Sequence, residues 1–439
     1  MRLLPLLLLA ACAAPPSTLP AGGDRPSTPP AAADSTLPAA VATEALTPTP
    51  IRIALADLPE PFATPSARQG ADVVEIPDVP TLRVPEGFAV QVFADGLESP
   101  RWLALAPDGA VLLVESRENR IKRLRDENGD GVAEAVEVVA TSANGLDLPM
   151  GLAFVDGALY VGNTSEVRRY DYSATGPITG EGSRITDLPG RGYNQHWTRN
   201  VVASPDGDSL YVTVGSQSNV SVEELPRASV FRMAPDGSGR ETVSFGLRNP
   251  VGLDVHPETG VFYTTVNERD GLGDNLVPDY LTAIGADASG EPRFYGWPYT
   301  YLTPDNIDPR RADDNGVSER PDLAARTVTP DVLFQSHSAA LGLKFYNQIA
   351  FPQRYRGGAF VAMRGSWNRS EGTGYKVVHV PFADGRPVGQ YEDFLTGFLL
   401  DASGPTTFGR PVGLLVLPDG SLLVTEEVNG RIYRVSYTG

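Results

Sequence analysis

The sequence predicts an all-β chain folded as a six-bladed β-propeller, and three observations carry that expectation. A motif of two apolar strands around a tight turn recurs six times, and most copies are followed by a strand alternating apolar and basic residues. The turn aspartates Asp108, Asp156 and Asp206 are 48 and 50 residues apart. Units of several strands repeating at roughly 50 residues read as propeller blades. The length of 439 residues also accommodates a pair of β-sandwiches, but sandwiches do not need six similar turns.

Composition narrows the function classes. With 54 acidic and 36 basic side chains the formal charge is −18, which argues against a broad basic surface for nucleic acid or anionic lipid. An apolar fraction of 41% supplies a sizeable core and excludes wholesale disorder. The single cysteine excludes a disulfide framework within the chain and any multi-cysteine metal cluster, and four histidines argue against a histidine-rich metal centre.

The chain opens on MRLLPLLLLAAC, where Arg2 precedes a short apolar run and small residues lead to Cys12. This reads as a secretory signal, and Leu9 to Cys12 also resembles a bacterial lipobox, with lipidation at Cys12 and export to the cell envelope. A plain signal peptide that contains a cysteine is the other reading. Residues 13–50, rich in Ala, Pro, Ser and Thr, read as a disordered spacer. The folded domain is expected over 51–439, starting somewhere between Ile51 and Val84.

The six hairpins run from Pro100 to Glu115, Pro149 to Gly162, Arg199 to Gly215, Asn249 to Asn267, Ala340 to Arg364 and Pro411 to Glu426. Several turn on Asp-Gly, the strongest short hairpin signal, because a tight turn needs positive φ. The third strands include Arg120 to Leu124, Glu166 to Tyr170, Ser229 to Met233 and Arg431 to Val435; their polar face suits the rim of a sheet. Phe88 to Phe93 precedes the first hairpin and is expected to pair with the last blade, closing the ring. The interval from Thr259 to Gly358 is 99 residues, about twice a blade, so Glu268 to Ser336 carries an insertion where a site is expected.

Propeller sites lie where strand mouths converge on the channel. At those positions the chain has His196, Arg199, Arg248, Asn249, His337, Arg364 and Arg410, together with Arg101. Arginines facing one channel repel each other unless an anion fills it, so with His196 they point to a polyanionic ligand. His337 stands equally as a channel residue or a packing residue, whereas His256 and His379 read as surface or packing residues. Asp126 to Glu134 looks like a calcium loop, although a solvated turn accounts for it better.

Five segments in order, namely Gly246 to Pro250, Asn267 to Asp274, Ser336 to Ala339, Gly365 to Arg369 and Gly409 to Gly413, resemble the soluble pyrroloquinoline-quinone (PQQ)-dependent sugar dehydrogenases, particularly the sorbosone-dehydrogenase-like branch. The resemblance covers about Pro85 to Tyr437. It implies oxidation of an aldose or related aldehyde, PQQ and calcium as cofactors, and a separate electron acceptor. It further implies His196 as general base and Arg248 beside the reacting carbonyl, with Asn249 next to it. Arg410 then serves a quinone carboxylate, Arg364 falls where the family often has a lysine serving the cofactor, and the loop with Glu268, Asp270 and Asp274 supplies calcium ligands. The chain departs from the pattern at Ser216, where the best-studied branch has an aspartate, and at Phe408 and Leu146, where an arginine and a glutamine are expected. The alternatives are a propeller hydrolase of lactonase type and a non-catalytic envelope scaffold.

Overall fold

A computed structural model describes residues 40–190 and 196–439; Cys12 and the spacer up to residue 39 lie outside the described residues. The chain is all-β, and the longest α-helix among the described residues is the single turn Pro321–Ala324. Six sheets dominate. The first holds Pro100–Leu105, Val111–Glu115, Arg120–Arg125 and Ala135–Ala140; the second Leu152–Val155, Ala158–Gly162, Glu166–Asp171 and Ser183–Asp187. The third comprises Val201–Ala203, Leu210–Val214, Ser229–Met233 and Glu241–Phe245, with Arg293–Phe294 added in parallel. The fourth comprises Pro250–Val255, Phe262–Val266, Tyr280–Ala283 and Val332–Leu333; the fifth Ala340–Phe345, Ala359–Met363, Lys376–Val380 and Glu392–Leu395. The sixth combines Pro411–Val416, Leu422–Glu426 and Arg431–Tyr437 with Phe88–Ala94, which pairs antiparallel to the last of these, Phe88 opposite Tyr437. That is the closing pair expected from the sequence.

The first strands of the six sheets touch one another in a closed cycle, and the repeated glycine of the hairpin motif explains how. A Cβ on Gly252 would come within 2.2 Å of Leu341 O, one on Gly342 within 2.3 Å of Val412 O, and one on Gly413 within 2.2 Å of Arg101 O. Each glycine therefore admits the backbone of the next first strand. Thr265 and Thr425 seal two of these contacts by donating to Leu341 O and Arg101 O at 2.8 and 2.9 Å. The apolar core lies between neighbouring sheets: Tyr160 and Val167 pack with Val212 and Phe231, and Leu103 and Leu113 with Leu415 and Leu423. Alternation along each strand supplies both faces.

The N-terminal boundary needs correction. Ala42–Leu46 already forms a strand, paired in parallel with Thr81–Pro85, so order begins inside the segment read as spacer. Composition hides this strand because backbone hydrogen bonds hold it, while the burial of Leu82 and Val84 anchors its partner. Between the two strands the chain runs as a strap over the loops of the later sheets. Phe62 N donates to Leu272 O at 2.7 Å, Gln69 N to Trp367 O at 2.9 Å and Asp72 N to Pro405 O at 2.8 Å.

Candidate active site

In each hairpin the start of the first strand pairs with the end of the second: Pro100 opposite Glu115, Pro250 opposite Val266, Ala340 opposite Met363 and Pro411 opposite Glu426. Residues just before the one and just after the other are thus brought to the same end of every sheet. There they line a cleft of about 420 Å³, a size typical of small-molecule sites. His196, Arg248, Asn249, Glu268, Asp270, His337 and Arg364 all reach it, joined by Arg101, Arg117, Asp279, Trp367 and Asn368.

His196 is held by one ring nitrogen. Its Nδ1 lies 2.8 Å from Ser216 O and 3.0 Å from Ser216 Oγ, and that hydroxyl donates to Ser218 O at 2.6 Å. A carbonyl only accepts, so Nδ1 carries the proton and Nε2 keeps its lone pair. Burial first, then the neighbouring Arg248 cation, holds the imidazole well below the ordinary histidine value. It is a neutral base. Gly215 makes the arrangement possible, since a Cβ there would sit 2.4 Å from Asn249 Oδ1 and 2.6 Å from His196 Cβ.

Arg248 is fixed from several sides. It donates to Glu268 O at 2.7 Å, Asn219 Oδ1 at 3.0 Å and Asp270 Oδ2 at 2.9 Å. The other oxygen of Asp270 accepts from Asn368 Nδ2 at 2.5 Å, and that amide also meets His337 Nδ1 at 3.2 Å. His337 donates through Nε2 to Gly273 O at 3.1 Å, so both its nitrogens are occupied and it is a positioning residue, not a free base. Deeper lie two more carboxylates. Glu268 Oε2 accepts from Arg269 N and Nε, at 3.0 and 2.9 Å, while Oε1 is buried with no partner. Asp279 accepts from Glu268 N and Ala339 N, both at 2.8 Å, and burial, reinforced by Glu268, pushes it up to about 7.

The opposite wall is cationic. Arg101 and Arg364 both pair with Glu427; burial alone would raise that carboxyl, but the two guanidiniums hold it at about 2. Arg101 also covers the Trp197 ring at 5.0 Å and keeps a buried Nε without a partner. Arg117, at the exposed rim, adds a further cation.

Three expected site residues lie elsewhere. Arg199 donates to His196 O and Thr198 O at 2.8 Å and Pro189 O at 2.7 Å; it is buried beneath the His196 loop and braces it. Arg410 donates to Gly365 O at 2.7 Å and sits over the Tyr375 ring, behind the cationic wall and outside the lining. Asp274 turns away to Ser370 N at 3.0 Å, and its own N–H donates to Thr64 at 2.9 Å. In all three, nearby carbonyls or amides captured a group that sequence position alone aimed at the channel. Phe408 and Leu146 belong to apolar clusters, so neither departure leaves a gap in the cleft. His256 and His379 pack against aromatic rings, as expected. The Asp126 turn is exposed; its carboxylate accepts from Gly129 N and Gly131 N at 2.7 and 2.8 Å.

Glu427 and Asp279 were missed by the sequence reading. Glu427 had a readable signal: it stands one residue past the partner of the first-strand opening, the register that Asn267 and Arg364 occupy in their hairpins.

The donor sets fit both implied cofactors. The partnerless oxygens Glu268 Oε1 and Asn249 Oδ1, buried at the cleft, are hard donors suited to calcium. Of the expected calcium ligands, Asp270 is committed to Arg248 and Asn368, and Asp274, although its Oδ1 is also without a partner, is outside the lining; Glu268 is the one that keeps an open oxygen at the cleft. Arg101 and Arg364, sharing one carboxylate, leave excess positive charge for an anionic ligand.

Comparisons with known proteins agree. A protein of Borreliella burgdorferi, itself uncharacterised, is 29% identical over 373 residues, covering 81% of this chain and 91% of that protein. The PQQ-dependent pyranose dehydrogenase of Coprinopsis cinerea is 26% identical over 411 residues, covering 80% of this chain but 54% of its own length; the chain thus spans about half of that relative. The calcium structure of a Trichoderma reesei enzyme of carbohydrate-active family AA12 shares the fold, with a TM-score of 0.68 at 20% identity over 83% of this chain and 99% of that one. The TrAA12-like family model matches residues 82–438, a span that takes in all six sheets and every loop of the cleft, and the chain belongs to the TrAA12-like family.

Proposed function

We propose that the protein is a PQQ- and calcium-dependent dehydrogenase that oxidises an aldose or related aldehyde, and that its six sheets are the blades of one six-bladed propeller. One observation carries the reading: a neutral imidazole, tied through Nδ1 and open at Nε2, stands with a locked arginine in a cleft flanked by a cationic wall. The Coprinopsis cinerea relative is a PQQ-dependent pyranose dehydrogenase, and the Trichoderma reesei structure contains calcium; both support it. When bound, the quinone supplies a hydride acceptor and the calcium ion a Lewis acid.

The chain's own residues do the rest. His196 Nε2 takes the proton of the sugar hydroxyl, and the carbonyl of Ser216 keeps the ring in the tautomer that allows it. No carboxylate backs the imidazolium that forms, so this base works from a low intrinsic basicity. Arg248, unable to swing because Asp270 and Glu268 O hold it, stabilises negative charge developing beside it. Arg101, Arg117 and Arg364 would bind the carboxylates of an anionic cofactor, and Glu268 Oε1 and Asn249 Oδ1 would hold the metal. Repeated turnover would need a separate electron acceptor.

His196 and Arg248 separate under substitution. Quinone titration by absorbance, followed by sugar-dependent dye reduction on the saturated protein, should find His196→Ala binding quinone normally with turnover down about 10²–10⁴-fold. Arg248→Ala should lose quinone affinity as well as turnover, and Arg248→Lys should restore it only in part. Near-normal turnover in saturated His196→Ala would remove the base assignment. The proposal includes tethering at the cell envelope through Cys12: Cys12→Ala should move the protein from the membrane pellet to the soluble fraction, and a variant that stays in the pellet rules the lipid anchor out.

A further inference from the structure

We infer that Trp367 is a stacking platform for the sugar ring, a substrate subsite at the mouth of the cleft; the inference rests on the sugar-oxidation reading above. Trp367 lines the cleft and is 48% exposed, whereas Trp102 and Trp297 are 8% and 3% exposed. An indole is a large apolar surface, and leaving one in water forgoes the stabilisation its burial would bring. The fold nonetheless presents it, and presents it rigidly.

The segment on either side is pinned. Ser366, fully buried, donates its N–H to Thr373 O at 2.9 Å and accepts at its carbonyl from the Tyr375 hydroxyl at 2.6 Å. The carbonyl of Trp367 accepts from Gln69 N, on the strap, at 2.9 Å. Asn368, also buried, is clamped to Asp270 at 2.5 Å. The backbone held at Ser366 and Trp367, with the Asn368 side chain anchored beside them, gives the exposed ring a fixed mount, and little freedom remains to be lost when a ligand covers it.

Nor is the ring already stacked. Trp197, at the same cleft, already carries the Arg101 guanidinium over its ring, whereas no aromatic ring or cation covers Trp367 among the described residues.

The choice between a sugar and the cofactor follows from depth and charge. The groups suited to an anionic cofactor and its metal are charged or polar: the cationic-wall arginines, of which Arg101 is buried and Arg364 half-buried, and the buried oxygens of Glu268 and Asn249. Trp367 is neutral, apolar and at the solvent end. A cyclic sugar arrives from solvent with hydroxyls at its edges and C–H groups on its faces, and a face free of axial hydroxyls offers an unbroken apolar surface to the indole. The subsite therefore selects pyranoses whose hydroxyls are equatorial on the stacking face.

The test uses the protein loaded with quinone and calcium, with Trp367→Ala and Trp367→Phe. The alanine variant should raise the sugar KM about tenfold or more through lost ring binding, with kcat within roughly threefold of wild type. The phenylalanine variant should recover most of the loss. Calorimetric titration of the loaded protein with sugar should show the same weakening, while quinone titration stays unmoved. A sugar with an axial hydroxyl on the stacking face should lose its disadvantage in the alanine variant. If wild type oxidises sugars and Trp367→Ala leaves KM and sugar affinity unchanged, the subsite is wrong and the sugar-oxidation reading survives. Weaker quinone binding with an unchanged sugar KM assigns the indole to the cofactor and equally overturns the subsite. A quinone-saturated wild type that oxidises no sugar removes the parent reading and the subsite together.

Discussion

The two walls of the cleft treat a buried carboxylate in opposite ways. On the cationic side Glu427 sits between Arg101 and Arg364 and is held at about 2. On the acidic side Asp279, accepting only backbone N–H groups and lying beside Glu268, is pushed up to about 7. Both are essentially excluded from solvent, so burial acts against both charges; the neighbouring charges decide the outcome. One wall has positive charge left over after its internal pair, and the other has unpartnered oxygen. The cleft lining therefore holds one cluster with excess positive charge and another with unpartnered buried oxygen, with His196 and Arg248 also lining it.

The strongest way to break this contrast is on the acidic wall. Glu268, Arg269 and Asp308 form a fully buried cluster, with side-chain exposures of 0%. Removing one member strands charge without solvent, so Glu268→Ala should cost about 3–5 kcal/mol in denaturant unfolding. The exposed pair Arg83–Glu44 is the control, and Glu44→Ala should cost under about 1 kcal/mol. Equal losses from the two would show that the acidic wall is not an electrostatic unit.

A smaller effect tests the cationic wall. Arg364→Ala should weaken quinone binding by about 1.5–3 kcal/mol, roughly tenfold to 150-fold, for one lost charge-assisted hydrogen bond. Arg410→Ala, outside the lining, should weaken it much less. Titration of both variants by absorbance decides it, and comparable losses would put Arg410 back among the direct contacts.

The smallest effect per unit of pH, at most about 1.4 kcal/mol for one proton, has opposite signs on the two walls. Glu427 has its folded value depressed from 4.5 to about 2, so its contribution is present above pH 4.5 and lost as pH falls towards 2. Asp279 is raised from 3.8 to about 7, so its contribution is full below 3.8 and lost as pH rises through 7. In cofactor-free, metal-free protein, the difference in stability between wild type and Glu427→Gln should change between pH 4.5 and 2. The difference for Asp279→Asn should change between pH 4 and 7. Parallel pH profiles for wild type and both variants would show that neither carboxyl is shifted.

Much of the site was legible because hairpin register is local. His196, Arg248, Asn249, His337 and Arg364 were found from their places at strand mouths, and Glu268 and Asp270 through the family resemblance of their loop; the structure gathers all seven at one cleft. The same reasoning misassigned Arg199, Arg410 and Asp274. Their backbone positions are at the mouths, but their side chains bond carbonyls and amides on other loops. Ser216 shows the converse: a lost carboxylate in the sequence is replaced by a backbone carbonyl, which no side-chain pattern can reveal.

What the sequence determined by itself was the repeat: turn chemistry, strand alternation and the spacing of hairpins are interactions between residues a few positions apart, and they are written in residue type. The closing strand Phe88–Ala94 was also readable, because an unpaired apolar strand before the first hairpin has one open edge to take. Tertiary structure alone decided the electrostatics. Glu427 meets Arg101 across 326 residues and Arg364 across 63, and the repeated glycines are required by backbones from the next sheet. Charge pairing and close approach depend on distances in space, and the ring of sheets brings remote segments within a few ångströms.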